Sequence, residues 1–156
     1  LKSQVVGTFV KSDSLAAIKG MTQEVQSGDL YITAHHAVNR ITYKQRTITL
    51  ISGSSGYNSH VYRNSTFLDS LFVCPAEPIF ITSHTLLVAD KWNNKLRLVD
   101  MRSDKVTTLN VTNSLIYPTS LLLTNDSLYV GQAEKIVQKS NNFYPSKEEG
   151  KKNSNL

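Results

Sequence analysis

The sequence predicts an all-β chain built from a repeated unit of about four short strands. Three observations carry that expectation. Apolar residues come in short β-branched runs split by Asn, Asp, Ser and Gly, with no sustained 3.6-residue period. A unit of strand, polar loop, basic residue plus aliphatic, second strand, charged turn and Thr-rich strand recurs along the chain. Leu86, Leu87 and Val88 are apolar at consecutive positions, as expected of a strand buried on both faces.

Taken in order, Gln4–Val10 has the broken apolar pattern of a last strand from a preceding unit, so residues 1–14 are assigned to such a remnant or to a connector. Leu15–Val25 competes as a short helix, but Gly20 and Thr22 interrupt it. Strands are expected at Leu30–Thr33, Arg40–Tyr43 and Thr47–Ile51 in the first unit. The second has Ile79–Thr82, Leu86–Ala89, Leu96–Val99 and Val106–Leu109, and the third has Leu121–Leu123 and Leu128–Val130. Ser52–Asp69 is rich in Ser, Asn and Gly and reads as a long connection between units. Leu30 and Leu86 are 56 residues apart, and Leu86 and Leu128 are 42 apart. A period near 40 to 50 residues with four strands per unit is the signature of a β-propeller blade.

The segment Leu86-Leu87-Val88-Ala89-Asp90-Lys91-Trp92-Asn93-Asn94-Lys95-Leu96-Arg97-Leu98-Val99-Asp100 closely resembles an NHL repeat. Val106-Thr107-Thr108-Leu109 and Ile48-Thr49-Leu50-Ile51-Ser52-Gly53 match the Thr-rich strand that ends that repeat. Phe67, Pro75 to Ile79, and Pro118-Thr119-Ser120-Leu121 resemble its opening. The resemblance spans residues 15–139 and implies about three four-stranded blades, part of a ring of about six. The first unit departs from the pattern with Ala34 and His35 at the Asp position and a loop expected to be one residue longer. The third places Gly131 there, with a loop two residues shorter. In the middle unit Asp90 is expected to cap the turn by accepting backbone N–H bonds, with Asn93 or Asn94 at the left-handed corner.

Composition bounds the rest. The chain has 156 residues, 40% hydrophobic and 19% charged, enough for one packed domain and inconsistent with global disorder. Its one cysteine, Cys74, excludes an intrachain disulfide, a CxxC redox pair and a cysteine-rich zinc site. No apolar run approaches the roughly 18 to 20 residues of a membrane span. The first residue is Leu1 and no signal-peptide pattern follows it, so a fragment or processed product is expected, and secreted and cytoplasmic settings both stay open. The stretch 140–156 is polar and reads as a tail or connector. N-glycosylation sequons occur at Asn64, Asn110 and Asn125, about as many as random placement of the asparagines would supply.

No catalytic grouping stands out. His35, His36, His60 and His84 lack metal-ligand spacing and read as surface-loop residues, so no metal or other cofactor is expected. Asp100 and Asp104 flank Arg102 and precede Lys105, which suits turn capping and opposes a calcium ion. Cys74 follows Leu71-Phe72-Val73 and reads as a buried packing residue. Trp92, between Lys91 and Lys95 at a loop tip, suits a binding hot spot, with Tyr57 as a further contact.

The resemblance, joined to the missing catalytic groups, implies a non-catalytic scaffold that binds a protein partner through its loop faces. Single-stranded RNA is the first alternative, on the net charge of +5 spread over Arg40, Arg46, Lys91, Lys95, Arg97, Arg102 and Lys105. A metal-dependent propeller enzyme of lyase or hydrolase type is the second. Three blades make an open arc, so a longer parent chain or a homodimer that closes the ring is expected.

Overall fold

A computed structural model describes residues 7–54, 64–66, 71–112 and 114–140. Three antiparallel sheets follow one another along the chain, and each is one blade of a partial propeller. Blade 1 contains β1 (Ile18–Gln23), β2 (Leu30–Ala34), β3 (His36–Ile41) and β4 (Ile48–Ser54), paired in that order. The two-residue β5 (Ser65–Thr66) adds to the outer edge of blade 2, which is β6 (Pro75–Phe80), β7 (Thr85–Asp90), β8 (Lys95–Asp100) and β9 (Lys105–Leu109). Blade 3 has three strands among the described residues, not the expected four: β10 (Ser120–Leu123), β11 (Ser127–Gln132) and β12 (Lys135–Ser140).

The consecutive apolar run of β7 is explained by its place in the middle. Successive side chains of a strand point to opposite faces. Leu86 and Val88 pack with Tyr31 and Val38 of blade 1, while Leu87 and Ala89 pack with Leu121, Leu128 and Val130 of blade 3. Each blade thus has a leading face toward the preceding position in the arc and a trailing face toward the next. The leading face of blade 1 gathers Leu30, Ile32, Ile41 and Ile48 around Leu15.

Several local expectations are corrected. Leu15–Val25 forms no helix, in line with its interruption by Gly20 and Thr22, but it does hold an unexpected strand: Leu15 ends a 3-10 turn (Asp13–Leu15), and Ile18–Gln23 is β1, held by cross-strand pairing with β2. Residues 7–10 form no strand; Phe9 and Val10 pack on the leading face of blade 1, and Phe9 stacks on Tyr43 at 6.1 Å. The expected strand Arg40–Tyr43 begins earlier, at His36, because Ala34 pairs with Ala37 across a two-residue turn. That turn is two residues shorter than the four between the paired Asp90 and Lys95, not one longer. In blade 3 Gln132 pairs with Lys135, so Gln132, not Gly131, takes the place of Asp90. Tyr57, His60, Phe67 and most of Ser52–Asp69 lie outside the described residues.

The blades share one lead-in device. Ala17 and Cys74 directly precede the first strands' Ile18 and Pro75, and Tyr117 precedes Pro118, three residues before Ser120 of β10; their φ are 55°, 48° and 49°. A left-handed residue costs roughly 1–2 kcal/mol without a compensating bond. In blades 2 and 3 the same residue donates its N–H to the preceding blade. Cys74 N donates to His36 Nδ1 at 3.1 Å, and Tyr117 N donates to Asn94 Oδ1 at 2.8 Å. His36 and Asn94 hold the same position, directly before the residue that opens the β3 or β8 pairing. Cys74 is therefore a half-buried turn residue and not a fully buried core one.

Candidate binding face around Trp92

Lys91–Asn93 form one 3-10 turn between β7 and β8, closed by Asn94 in the left-handed conformation at φ 54°. Trp92 leaves 53% of its surface exposed at the tip of this turn, so it is not a core residue. Its N–H donates to Val73 O at 3.2 Å, pinning the turn on the lead-in segment. Lys91 and Lys95 flank it half-buried, and Asn94 N donates to Lys91 O at 3.2 Å.

Beneath the turn lies a buried polar network. Asp90 and Arg97 have fully inaccessible side chains and pair at 3.0 Å. The Asp90 carboxylate also accepts from Val73 N and Asn93 Nδ2, both at 2.8 Å. It therefore ties the turn to the lead-in segment and leaves the turn's own amides alone, which corrects the expected capping role. Burial pushes the Asp90 carboxyl above its ordinary value, against the pull of Asn93, Val73 and Arg97. Arg97 donates from one terminal nitrogen to Leu71 O at 2.9 Å and from the other to Asn64 Oδ1 at 3.0 Å, with its guanidinium 5.1 Å from the Phe72 ring centroid. The same Asn64 oxygen accepts from Thr108 Oγ1 at 2.9 Å.

Beside the turn, a polar crevice of about 360 Å³ is lined by Asn93, Asn94, Lys95, Thr108, Asn110 and Ser114, among others. The structure therefore brings Lys91, Trp92, Asn93, Asn94 and Lys95 onto one loop face. Two residues that matter here escape a sequence reading. Arg97 looks like a solvated cation in Lys95-Leu96-Arg97-Leu98, yet it is wholly buried and adds nothing to a basic surface. Asn64 carries a sequon, yet its oxygen serves Arg97 and Thr108. The signal that would have found the pair is the register, which sets Val88 opposite Arg97 two residues from Asp90.

Other candidates are scattered. Arg40 is tied to Asp29, and Arg46 lies 5.0 Å over the Phe9 ring. His36 serves Cys74 at one end of the blades, while His84 meets Ser83 Oγ at 2.8 Å in the β6–β7 turn at the other. Among the described residues no three His, Cys, Asp or Glu side chains group as metal ligands. Asp100 accepts from Arg102 N at 2.9 Å and from Ser103 Oγ at 2.7 Å. Asn110 and Asn125 are exposed. Among the described residues no helix is long and apolar enough to cross a membrane.

No family model and no curated protein matches the chain. Solved structures do. A Bacteroides thetaiotaomicron protein of unknown function aligns at a TM-score of 0.66 with 14% identity, over 77% of this chain and 34% of its own. An auxiliary nutrient binding protein from the same organism aligns at 0.62 with 15% identity, over 76% and 36%. Virginiamycin B lyase from Staphylococcus aureus aligns at 0.55 with 12% identity, over 83% and 42%. This chain therefore spans between a third and a half of each of those proteins, and the likeness is one of fold: an all-β, partial β-propeller.

Proposed function

We propose that the chain is a non-catalytic propeller module of NHL-like type that binds a protein partner through the loop face centred on Trp92. The observation that carries this reading is a half-exposed tryptophan on a turn braced from below by Asp90 and Arg97. A rigid aromatic loses little freedom on binding, which is the condition that makes an interface hot spot. Lys91 and Lys95 beside it favour an acidic partner surface. The likeness to a nutrient binding protein supports binding over catalysis.

Selection from a random peptide display library against the purified chain tests this. Recovered peptides should be acidic with aromatic residues, and Trp92→Ala should weaken their binding by at least about tenfold. Failure to enrich any peptide, or binding indifferent to Trp92→Ala, would overturn the proposal.

A further inference from the structure

The turn that carries Trp92 also carries two adjacent amide side chains, Asn93 and Asn94. The corresponding turn of blade 1 has His35 and His36, and that of blade 3 has Ala133 and Glu134. In blade 2 the fold fixes each amide at one end. Asn93 Nδ2 donates at 2.8 Å to Asp90 Oδ2, the same oxygen that pairs with buried Arg97. Asn94 Oδ1 accepts from Tyr117 N at 2.8 Å, so the lead-in of blade 3 holds it.

These partners assign both amide orientations, because a carboxylate accepts and a backbone N–H donates. One acceptor, Asn93 Oδ1, and one donor, Asn94 Nδ2, are left over. Neither makes a hydrogen bond among the described residues. Both side chains line the polar crevice of about 360 Å³, which blade 2 shares with the connection to blade 3. Thr108, Asn110, Thr112 and Ser114 line it too, and no Asp or Glu does.

An acceptor beside a donor selects the chemistry of what fills the crevice. A carboxylate would bring further acceptors to Asn93 Oδ1, and an ammonium would bring donors to Asn94 Nδ2. A neutral main chain answers both, since each non-proline residue offers one N–H and one C=O.

We infer that the protein partner crosses this face as an extended segment held by its main chain, with one N–H donating to Asn93 Oδ1 and one C=O accepting from Asn94 Nδ2. The contact deepens the reading of the Trp92 face as a protein-binding surface and rests on it. Amides already held in place by Asp90 and Tyr117 lose little freedom on binding. Main-chain bonds of this kind supply affinity without regard to sequence, and Trp92 is left to select side chains.

The probe is the tightest peptide recovered by display on the Trp92 face, resynthesised with each backbone nitrogen methylated in turn. Methylation removes one N–H donor and keeps every side chain. One position should lose at least about tenfold in affinity, and the same methylation should cost little in Asn93→Ala, whose acceptor is gone. Asn94→Asp keeps the oxygen that accepts from Tyr117 N and turns the Nδ2 donor into an acceptor. Its thermal midpoint should hold while peptide affinity falls by at least about tenfold. That loss should persist at about 1 M salt, where the screening length is about 3 Å. Peptides that need Trp92 yet tolerate methylation at every position would overturn the inference and leave the Trp92 reading standing, as would an Asn94→Asp loss that vanishes at high salt. Methylation and Asn94→Asp losses without any effect of Trp92→Ala would overturn that reading and keep the main-chain contact. A selection that enriches no peptide overturns both.

Discussion

Replacing Asp90 by alanine removes the anion of a pair in which neither side chain touches solvent. Arg97 cannot shed its charge at accessible pH, so the change leaves a guanidinium buried without its counter-ion. Breaking a buried pair from one side costs about 3–5 kcal/mol. Val73 N and Asn93 Nδ2 lose their acceptor in the same step. Domains of this size have only about 5–15 kcal/mol in total. With a urea slope of about 1–3 kcal/mol/M, the unfolding midpoint should fall by more than about 1 M. The comparison is Asp29→Ala, which also takes the acceptor from Tyr43 N but leaves an Arg40 whose side chain is 41% exposed and can be hydrated, so its loss should be smaller than that of Asp90→Ala. Asp90→Leu combined with Arg97→Met removes both charges and should be less damaging than Asp90→Ala alone. Unfolding followed by circular dichroism gives the midpoints, and fluorescence of the chain's single tryptophan, Trp92, reads the turn directly. A loss below about 1 kcal/mol for Asp90→Ala, or a double variant as unstable as the sum of its parts, would refute the reasoning.

Two further outcomes are expected. The Tyr43 N–H, and after it Arg40, hold the Asp29 carboxyl below its ordinary value of 3.8 despite burial, and the Ser103 hydroxyl and Arg102 N–H do the same for Asp100. A depressed carboxyl stabilises the fold above its unfolded value and loses that contribution as pH falls through the folded one. The urea midpoint should therefore drop on acidification below about pH 4, and Asp29→Asn should flatten that drop; an unchanged slope would exclude the assignment. Gly53 has φ 92°, and a Cβ there would lie 2.3 Å from His36 O. Gly53→Ala should then destabilise by at least about 1–3 kcal/mol in thermal unfolding, and a neutral result would mean that β3 and β4 approach differently.

Strands β2 to β4 and β6 to β11 were legible, at least in part, because β-branched runs and turn residues report local backbone preference directly, whereas β1, β5 and β12 lack such runs and form by pairing with β2, β9 and β11. The repeat was legible too, since Leu86 to Asp100 carries its strand, turn and strand in one stretch of chain. Trp92 could be placed at a tip for the same reason. The blade 3 turn is two residues shorter than the middle one, as its spacing suggests, but the blade 1 turn length and the pairing position of Gln132 were not legible, because Ala34–Ala37 and Gln132–Lys135 pairing is set by cross-strand register and not by the residues of the turn.

Burial of a polar residue was equally invisible. Arg97 alternates with leucines as a solvated residue would, and only the convergence of Leu71, Asn64, Asp90 and Phe72 from separate stretches of chain makes it a core residue. Likewise, His36 becomes an acceptor only because the next blade delivers Cys74 N to it. The amino-acid sequence alone determined the all-β class, most of the strands and the repeating unit, all of which depend on short-range pattern. Only the tertiary structure decided which polar groups are buried and which faces meet, because those depend on partners that lie far away along the chain.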